Sequence, residues 1–411
     1  MAAPPPESPP SPAAPSTGWR ALPVGIWAMG FGSLFMDMSS ELIHSLLPVL
    51  MVTTLGASMV TVGVIEGVAE ATAAFTKVFS GALSDYLGKR KFLTVLGYAL
   101  AAFTKPIFPL ATSVPWVFAA RFVDRVGKGI RGAPRDALIA DLTDSRQRGA
   151  AYGLRQALDS LGALTGPLLA VLLMIVLADD IRTVMWIAVL PAFVAVLLLV
   201  TYVREPERSA GAAALRKPLR LADARSLPLR YWLVVLVGGV FTLARFSEAF
   251  LVLRARDVGL GLAYIPIVMV VMNITYAAAA YPAGSAADRV GPRPLLLVGL
   301  ALLVAADLAL AQATSPLVVF AGAALWGLHM AITQGLLSKL VADTAPATLL
   351  GTGFGIFHLV SGGAVLLASL VAGGLWSRFG APATFLAGAA FAAAAGVGLL
   401  AAGRLRHQPS A

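Results

Sequence analysis

Twelve apolar segments recur along the chain, and each is long enough to cross the hydrocarbon layer of a membrane, which takes about 20 helical residues. They lie at residues 22–53, 58–83, 91–112, 115–140, 148–178, 183–203, 231–253, 260–285, 294–313, 316–340, 348–376 and 382–403. Hydrophobic residues make up 58% of the 411 residues, and the mean hydropathy is +0.82, which exceeds what one soluble core could bury. The sequence therefore predicts an all-α membrane protein with twelve transmembrane helices, numbered here as spans 1 to 12.

The basic residues that produce a net charge of +10 fall in alternate connections between the spans. One set of connections holds residues 89–91, 146–148, 204–230, 289–293 and 404–406, whereas the other set holds little more than Arg182, Arg254, Arg256 and Arg378. By the positive-inside rule this asymmetry predicts that both termini are cytoplasmic. The same asymmetry accounts for the net positive charge, so the charge does not indicate a nucleic-acid partner. We therefore expect a multi-pass protein of the cytoplasmic (inner) membrane.

Composition divides the chain into five parts. Residues 1–20 are rich in Pro, Ser and Ala and carry no cleavable signal pattern, so we expect a disordered cytoplasmic tail. The long basic connection at 204–230 predicts a cytoplasmic linker between two six-helix halves, 21–203 and 231–403, and residues 404–411 form a second tail. Cysteine is absent, which excludes disulfides and thiolate metal ligands.

The two halves repeat each other. The stretch "GALSDYLGKRK" (81–91) follows span 2, and "GSAADRVGPRP" (284–294) follows span 8 at a constant offset of 203 residues. The residues that carry this repeat are Gly81, Asp85, Gly88, Lys89 and Arg90 in the first half, and Gly284, Asp288, Gly291 and Arg293 in the second. Six-span repeats with a binding site near the midplane are typical of secondary transporters.

These motifs resemble those of the major facilitator superfamily. The loop at 81–91 is similar to the motif between spans 2 and 3 of that family, and Arg121 in "RFVDRVG" looks like its span 4 arginine, although Asp124 and Arg125 stand where the family motif has Gln and Gly. Span 5 reproduces the spacing of the family's antiporter motif at Gly153, Gly162, Gly166 and Pro167, with Ala170 and Val171 in place of its closing glycines. The resemblance implies the major facilitator fold, a monomer, a gate at the 81–91 loop and efflux of a drug or siderophore.

Span 4 carries an unusual set of charges on one side. On a helix these charges fall within an arc of about 140°, opposite Val126 and Ile130. They are Arg121, Asp124, Arg125, Lys128, Arg131, Arg135 and Asp136. A charge that faces lipid at mid-depth costs several kcal/mol, so this face must line a watery cavity or meet partner charges. For Arg131, Arg135 and Asp136 the interpretation of structural salt bridges stands beside the functional one.

Partner charges lie on the neighbouring spans, in equal numbers of acidic and basic groups in the first half, which predicts a paired network. The candidate residues of the cavity are Asp37, Glu41 and His44 on span 1, Glu66 and Glu70 on span 2, Arg121, Asp124, Arg125 and Lys128 on span 4, Arg155 and Asp159 on span 5, Arg245 and Glu248 on span 7, Asn273 on span 8, His329 on span 10 and His358 on span 11. We expect at least one of Asp37, Glu41 and Glu70 to carry the coupling proton, because a buried carboxylate can exchange a proton as its partners move.

Two other functions stay open. Asp37, Glu41, His44, His329 and His358 offer ligands suited to export of iron, nickel or zinc, although the many nearby basic groups would repel a cation. Import of a small organic solute is the other alternative. No "GxxxxGK[ST]", "HExxH" or "GxSxG" arrangement occurs, so we expect neither direct ATP coupling nor an enzyme, and no cofactor or resident metal. The expected partners are the lipid bilayer, protons and a small molecule.

Overall fold

The computed structural model describes residues 22–144, 147–205, 226–346 and 349–404, apart from the side chains of residues 82, 85, 287, 288 and 401–404. Within these residues the chain is helical and contains no strand. The helices are α1 (Val24–Thr53), α2 (Met59–Leu87), α3 (Arg90–Thr104), α4 (Ile107–Leu110), α5 (Val114–Leu142), α6 (Arg148–Val176), α7 (Ile181–Ile187), α8 (Val189–Tyr202), α9 (Leu229–Leu243), α10 (Ala249–Asp257), α11 (Ile267–Val290), α12 (Pro292–Ala311), α13 (Pro316–Thr344), α14 (Leu350–Phe379) and α15 (Ala381–Arg404).

Each predicted span corresponds to one helix or to two helices in series. In the described part of the chain, ten segments are long and apolar enough to cross a membrane. The other two predicted spans are α5, which carries the charged face, and span 7, which is divided into α9 and α10 by residues 244–248. Span 3 also bends, between α3 and α4, where Lys105 precedes Pro106 and the ring of that proline disfavours continuation of the helix.

The helices alternate in direction, so the connections gather at two ends of the bundle. At one end, Gly25 near the start of α1 lies close to Leu142 and Tyr202 at the ends of α5 and α8. At the same end, the guanidinium of Arg293 donates to the carbonyl of Leu399, 2.9 Å away. We call this the terminal end, because the described chain begins and ends there, and we call the other the far end.

Most helices of residues 24–202 pack on one another, and so do most of those of 229–404, whereas α2 and α14 pack most extensively on each other across the two sets. In the first set α1 contacts α6 and α8, and α5 contacts α2 and α3; in the second, α13 contacts α11 and α12, and α12 contacts α15. Contacts of α2 with α14, of α6 with α11 and of α1 with α10 join the two sets. The predicted tail 1–20, the second tail beyond residue 404 and most of the linker 204–230 lie outside the described residues.

The two sets of helices meet most closely at the far end. A Cβ atom built on Gly63 of α2 would overlap the backbone oxygen of Ser369 on α14, and one built on Gly373 would lie 2.5 Å from the backbone oxygen of Met59. Only glycine allows backbones to approach so closely in a membrane helix pair. The far end of the bundle is therefore closed in this conformation.

Two arginines at the far end satisfy carbonyl groups where helices stop. Arg182 donates to the carbonyls of Pro109, at 2.5 Å, and Ala111, at 2.9 Å, near the end of α4. Arg254 donates to the carbonyls of Leu310, at 2.9 Å, and Ala313, at 2.7 Å, near the end of α12. The last carbonyls of a helix lack partners inside the helix, so these side chains take the place of water there.

Candidate functional site

The charged face of α5 points inward between its neighbours. Arg121, Asp124, Arg125 and Arg131 are buried, whereas Lys128 between them is exposed. The α5 backbone comes close to both adjacent helices, because Gly127 packs on α3 and Gly129 packs on α2. The face predicted from the sequence thus meets the polar side chains of α1, α2 and α6 rather than lipid.

The deepest contact in the network joins Arg121 of α5 to Glu66 of α2. The guanidinium Nη2 lies 2.7 Å from Oε2 of Glu66, and the glutamate is fully buried. His44 of α1 bridges this pair to Glu41, because its Nε2 lies 3.5 Å from Glu66 and its Nδ1 lies 3.5 Å from Glu41. The four side chains connect three helices through one continuous path of charged and polar atoms.

A second group lies one turn closer to the terminal end. Arg125 Nη1 lies 3.3 Å from Oε1 of Glu70, which is 39% exposed. Asp124 is buried and pairs with Lys105, whose Nζ lies 2.9 Å from Oδ1 of the aspartate and 2.9 Å from Oγ of Ser40. Lys105 is therefore a member of the network that the sequence analysis missed. The available signal was a lysine inside the apolar segment 91–112, directly before a proline.

The carboxyl groups of Asp37 on α1 and Asp159 on α6 lie next to each other, close enough to repel when both are ionised. Arg155 lies 3.5 Å from Asp159, and Arg131 lies 3.8 Å from Asp37. The charge of the exposed Lys128 also acts on both carboxyl groups. Two ionised carboxylates repel at this separation, so the pair is stable only with a proton between them or with these cations drawn close.

The last turns of α5 hold the residues for which a structural role was also considered. The guanidinium of Arg131 stacks over the ring of Tyr98, 4.6 Å from its centroid. Arg135 donates to Oγ of Ser33 at 3.2 Å and pairs with Asp136 at 3.3 Å. These contacts connect α5 to α1 and α3 near the terminal end.

The second set of helices supplies fewer charges. Arg245 lies in the break between α9 and α10, Glu248 is the residue that precedes α10, and Glu41 and His44 are among the charges closest to Glu248. Asn273 donates from Nδ2 to the carbonyl of Ala163 at 2.9 Å and so connects α11 to α6.

The two histidines of this set lie in different surroundings. His329 is fully buried, its Nδ1 lies 2.7 Å from the carbonyl oxygen of Gly299, and its ring stacks on Phe241. His358 is partly buried beside Phe354 and Phe357. The structure therefore places His329 in the packing of α9, α12 and α13, apart from the network on α5.

The residues of the predicted gate lie at the terminal end. Gly88 ends α2 with a φ of 69°, a left-handed conformation that favours glycine, and Gly291 occupies the corresponding turn after α11 with a φ of 84°. Arg90 Nη1 lies 2.5 Å from Oδ2 of Asp141 on α5. The side chains of Asp85 and Asp288 lie outside the described residues, so their partners stay a prediction. Gly81 is partly buried, and Gly284 and Lys89 are exposed.

The predicted antiporter motif lies on the face of α6 that meets α1. Gly162 packs against the backbone of Leu34. A Cβ atom built on Gly166 would lie 2.6 Å from the backbone oxygen of Met38. Pro167 follows inside the helix. Gly153 has no such neighbour, because nothing lies within 4 Å of a Cβ built there. Two of the motif's glycines therefore set the separation of α1 and α6, the helices that carry Asp37 and Asp159.

Among the carboxyl groups of α1 and α2, exposure is greater toward the terminal end. Glu66 is fully buried, Glu41 is 21% exposed, and Glu70, nearer that end on α2, is 39% exposed. Since the far end is closed, solvent reaches the charged side chains from the terminal end. The fold and the site together define a membrane transporter with a network of charged side chains inside its helical bundle.

The chain belongs to the major facilitator superfamily, whose sequence model matches residues 29–254 and 240–411. An uncharacterised transporter of this type from Methanocaldococcus jannaschii is 32% identical over 389 residues, which cover 93% of this chain and 95% of that one. A probable 4-methylmuconolactone transporter of Cupriavidus pinatubonensis is 28% identical over 66% of this chain and 64% of its own length. The multidrug resistance protein MdtH of Photorhabdus laumondii is 28% identical over 41% of each chain.

The solved structures include a point mutant of the nucleoside transporter NupG, with a TM-score of 0.78 at 12% identity, covering 92% of this chain and 99% of that one. This likeness confirms the predicted major facilitator fold.

Proposed function

We propose that the chain is a proton-coupled exporter of a small organic molecule, such as a drug or a siderophore, and that it works by alternating access in the cytoplasmic membrane. The basic connections lie at the terminal end, so that end is cytoplasmic by the positive-inside rule. With the far end closed, the conformation described above faces inward.

The observation that carries the proposal is the pair of carboxyl groups of Asp37 and Asp159. Glu66 is paired with Arg121, and Glu70 is paired with Arg125. Asp37 has a more distant cation, Arg131 at 3.8 Å, and also meets a second acid, so its charge balance depends on a proton or on the closer approach of Lys128 and Arg131. A conformational change that moves α1 relative to α5 would alter that balance and could release or capture the proton. We therefore assign proton coupling to this pair, and Asp37 is one of the three acids that the sequence analysis considered for this role.

Several observations support a small organic substrate and export. Two relatives are named for a lactone and for multidrug resistance. Gly162 and Gly166 belong to the span 5 segment that resembles the antiporter motif of the family. Their contacts with α1 set the distance between the helices that carry the acid pair. The metal alternative has less support. The guanidinium of Arg121 lies 2.7 Å from the carboxylate of Glu66, beside His44, and its positive charge would repel a metal cation there. Among the described residues, no three His, Asp or Glu side chains converge to hold a metal ion.

The test measures proton movement in proteoliposomes that contain the pH dye pyranine. Ethidium, the siderophore desferrioxamine, or Fe²⁺ or Ni²⁺ is added outside, without an imposed gradient. An exporter that exchanges substrate for protons moves protons opposite to ethidium or desferrioxamine. Proton flow in the same direction as the organic compound would indicate an importer, and a response to the metal ions alone would favour the metal exporter.

The role of the acid pair is tested separately with Asp37→Asn and Asp159→Asn. Each variant should lose substrate accumulation driven by a pH step and keep substrate exchange, because exchange needs alternating access without net proton movement. Asp180→Asn, at an exposed loop residue of the far end, is the matched control and should transport normally. Full gradient-driven accumulation by both cavity variants would exclude this pair as the coupling site.

A further inference from the structure

Asp307 on α12 is a carboxyl group that the transport network does not use. Its side chain is fully buried, and within the described residues neither Oδ1 nor Oδ2 has a hydrogen-bond partner. It takes part in none of the ion pairs found among those residues. An isolated carboxylate is too costly to bury in its ionised form, so Asp307 holds a proton in this state.

An apolar cavity of about 110 Å³ lies next to this carboxyl group, between α9, α14 and α15. Its lining includes Leu243, Phe246, Val371, Gly388 and Phe391. The hydroxyl of Thr384, which also lines it, already donates to the carbonyl of Ala372 at 2.9 Å. The cavity therefore offers a ligand apolar contacts and no free polar group of its own.

Gly388 is the point at which the cavity and the carboxyl group meet. A Cβ atom built there would lie 2.5 Å from Oδ2 of Asp307 and 3.1 Å from the ring of Phe246. Gly388, which lines the cavity and carries no side chain, therefore lies directly beside Asp307. Phe246, which also lines the cavity, belongs to the break between α9 and α10, where the backbone leaves the helical path, so we expect its ring to move and connect the cavity with the carboxyl group.

The cavity opens toward lipid. Three of its lining residues are exposed on the outer surface of the bundle, Leu367 by 52%, Val371 by 37% and Phe391 by 41%. A ligand dissolved in the membrane can therefore reach it without passing through the central charged cavity.

We propose that this cavity binds a small hydrophobic amine that enters from the membrane and pairs with Asp307. The amine arrives neutral, its nitrogen takes the proton from the Asp307 carboxyl group, and the products are an ammonium ion and a carboxylate in direct contact. No net charge enters the protein, and the carboxylate gains the cationic partner that it lacks. An engineered closed cavity of about 150 Å³ holds benzene. The cavity of about 110 Å³ is smaller but opens to lipid, so a ligand with one small ring or a short alkyl chain can bind there with part of it extending into the membrane.

This site is distinct from the central network and does not depend on the direction or coupling of transport, since binding is measured without a gradient. The probe is 4-azidobenzylamine, added to the full chain in lipid nanodiscs, activated by light and mapped on peptides by mass spectrometry. We expect labelling of α14 and α15 peptides that line the cavity. Excess benzylamine should reduce this labelling at least tenfold, and benzyl alcohol, which has the same ring without a basic nitrogen, should not.

Two variants identify the carboxyl group and the cavity as the cause. Asp307→Asn keeps the shape of the side chain and should lower labelling at least tenfold, whereas the control Asp180→Asn should leave it unchanged. Val371→Phe fills the cavity from its lipid side, where a fold defect is least expected, and should also abolish labelling. Equal labelling of Asp307→Asn, equal competition by benzyl alcohol, or no labelling of α14 and α15 in the unmodified chain would each overturn the proposal.

Discussion

The ammonium group of Lys105 lies 2.9 Å from the carboxylate of Asp124, and both side chains are buried within the helical bundle. Lys105 stands at the bend between α3 and α4, and Asp124 stands on the charged face of α5. The pair therefore fixes the bend of span 3 against the helix that carries most of the network. A second contact of the Lys105 ammonium group, to Oγ of Ser40, extends this link to α1.

Removal of Lys105 should destabilise the protein because it leaves the buried Asp124 charge without its closest partner, and only the more distant Arg125, at 3.9 Å, remains. The expected loss for Lys105→Met is about 3–5 kcal/mol of unfolding free energy. Thermal unfolding in detergent measures it as a lower midpoint temperature. The double variant Lys105→Met with Asp124→Asn should recover part of the loss, and Lys89→Met, at an exposed lysine, should change little. An unchanged midpoint for Lys105→Met would contradict the structural role of this pair.

A side chain at Gly63 should open the far end of the bundle. Its Cβ would overlap the backbone oxygen of Ser369, and backbone cannot move aside as a flexible side chain can. The distance is measured between spin labels attached at Thr54→Cys and Thr314→Cys, two exposed positions at the far end. For Gly63→Ala we expect the population of molecules with a long distance between these labels to rise at least twofold. Gly374→Ala is the matched control, because nothing lies within 4 Å of a Cβ there. The same distance distribution in both variants would show that far-end closure does not depend on this contact.

Cysteine scanning should distinguish the two faces of α5, and the native chain offers no competing thiol. Lys128→Cys lies among the charged groups of the cavity and should react with water-soluble thiol reagents. Val126→Cys and Ile130→Cys lie on the opposite side of the helix and should be shielded from them. Labelling rates in membrane vesicles measure the difference. Faster reaction at Val126 or Ile130 than at Lys128 would mean that the cavity face of α5 is assigned wrongly.

The loop motif supports a prediction that concerns Asp85. The sequence analysis predicts a gate at the 81–91 loop, which contains this residue, and we expect that gate to hold the cytoplasmic ends together when the protein faces outward. Asp85→Asn should therefore slow the transport cycle without lowering the amount of inserted protein. Transport rates normalised to protein level in vesicles test this, and a normal rate at normal protein level would count against the gate.

The sequence predicted the helices well because the length and apolarity of a span are local properties. The first predicted segment was 22–53, and α1 is Val24–Thr53. The charged face of α5 could also be predicted, since helical periodicity alone places Arg121, Arg125 and Lys128 on one side. What periodicity cannot give is the partner of each charge, because that depends on how neighbouring helices are rotated.

Two residues show where this limit lies. Lys105 was passed over because it stands near the end of an apolar segment, where a lysine commonly reaches the membrane surface, and only the bend before Pro106 turns it toward Asp124. Asp307 was missed because a single acid in an apolar helix has no partner in the sequence to draw attention to it. The break at 244–248 was missed as well, since "VFTLARFSEAF" contains no proline or glycine that would predict an interruption.

That break also affects how the two sets of helices can respond to strain. In the first set, ion pairs connect α1, α2, α3 and α5, so bending one of these helices would separate several opposite charges at once. In the second set, the amide of Ser247 donates to the side chain of Ser369 rather than continuing a helical ladder. Amide hydrogens of residues 244–248 should therefore exchange with solvent deuterium faster than those of α5 at the same depth, which makes the broken helix the compliant element of an otherwise stiff bundle.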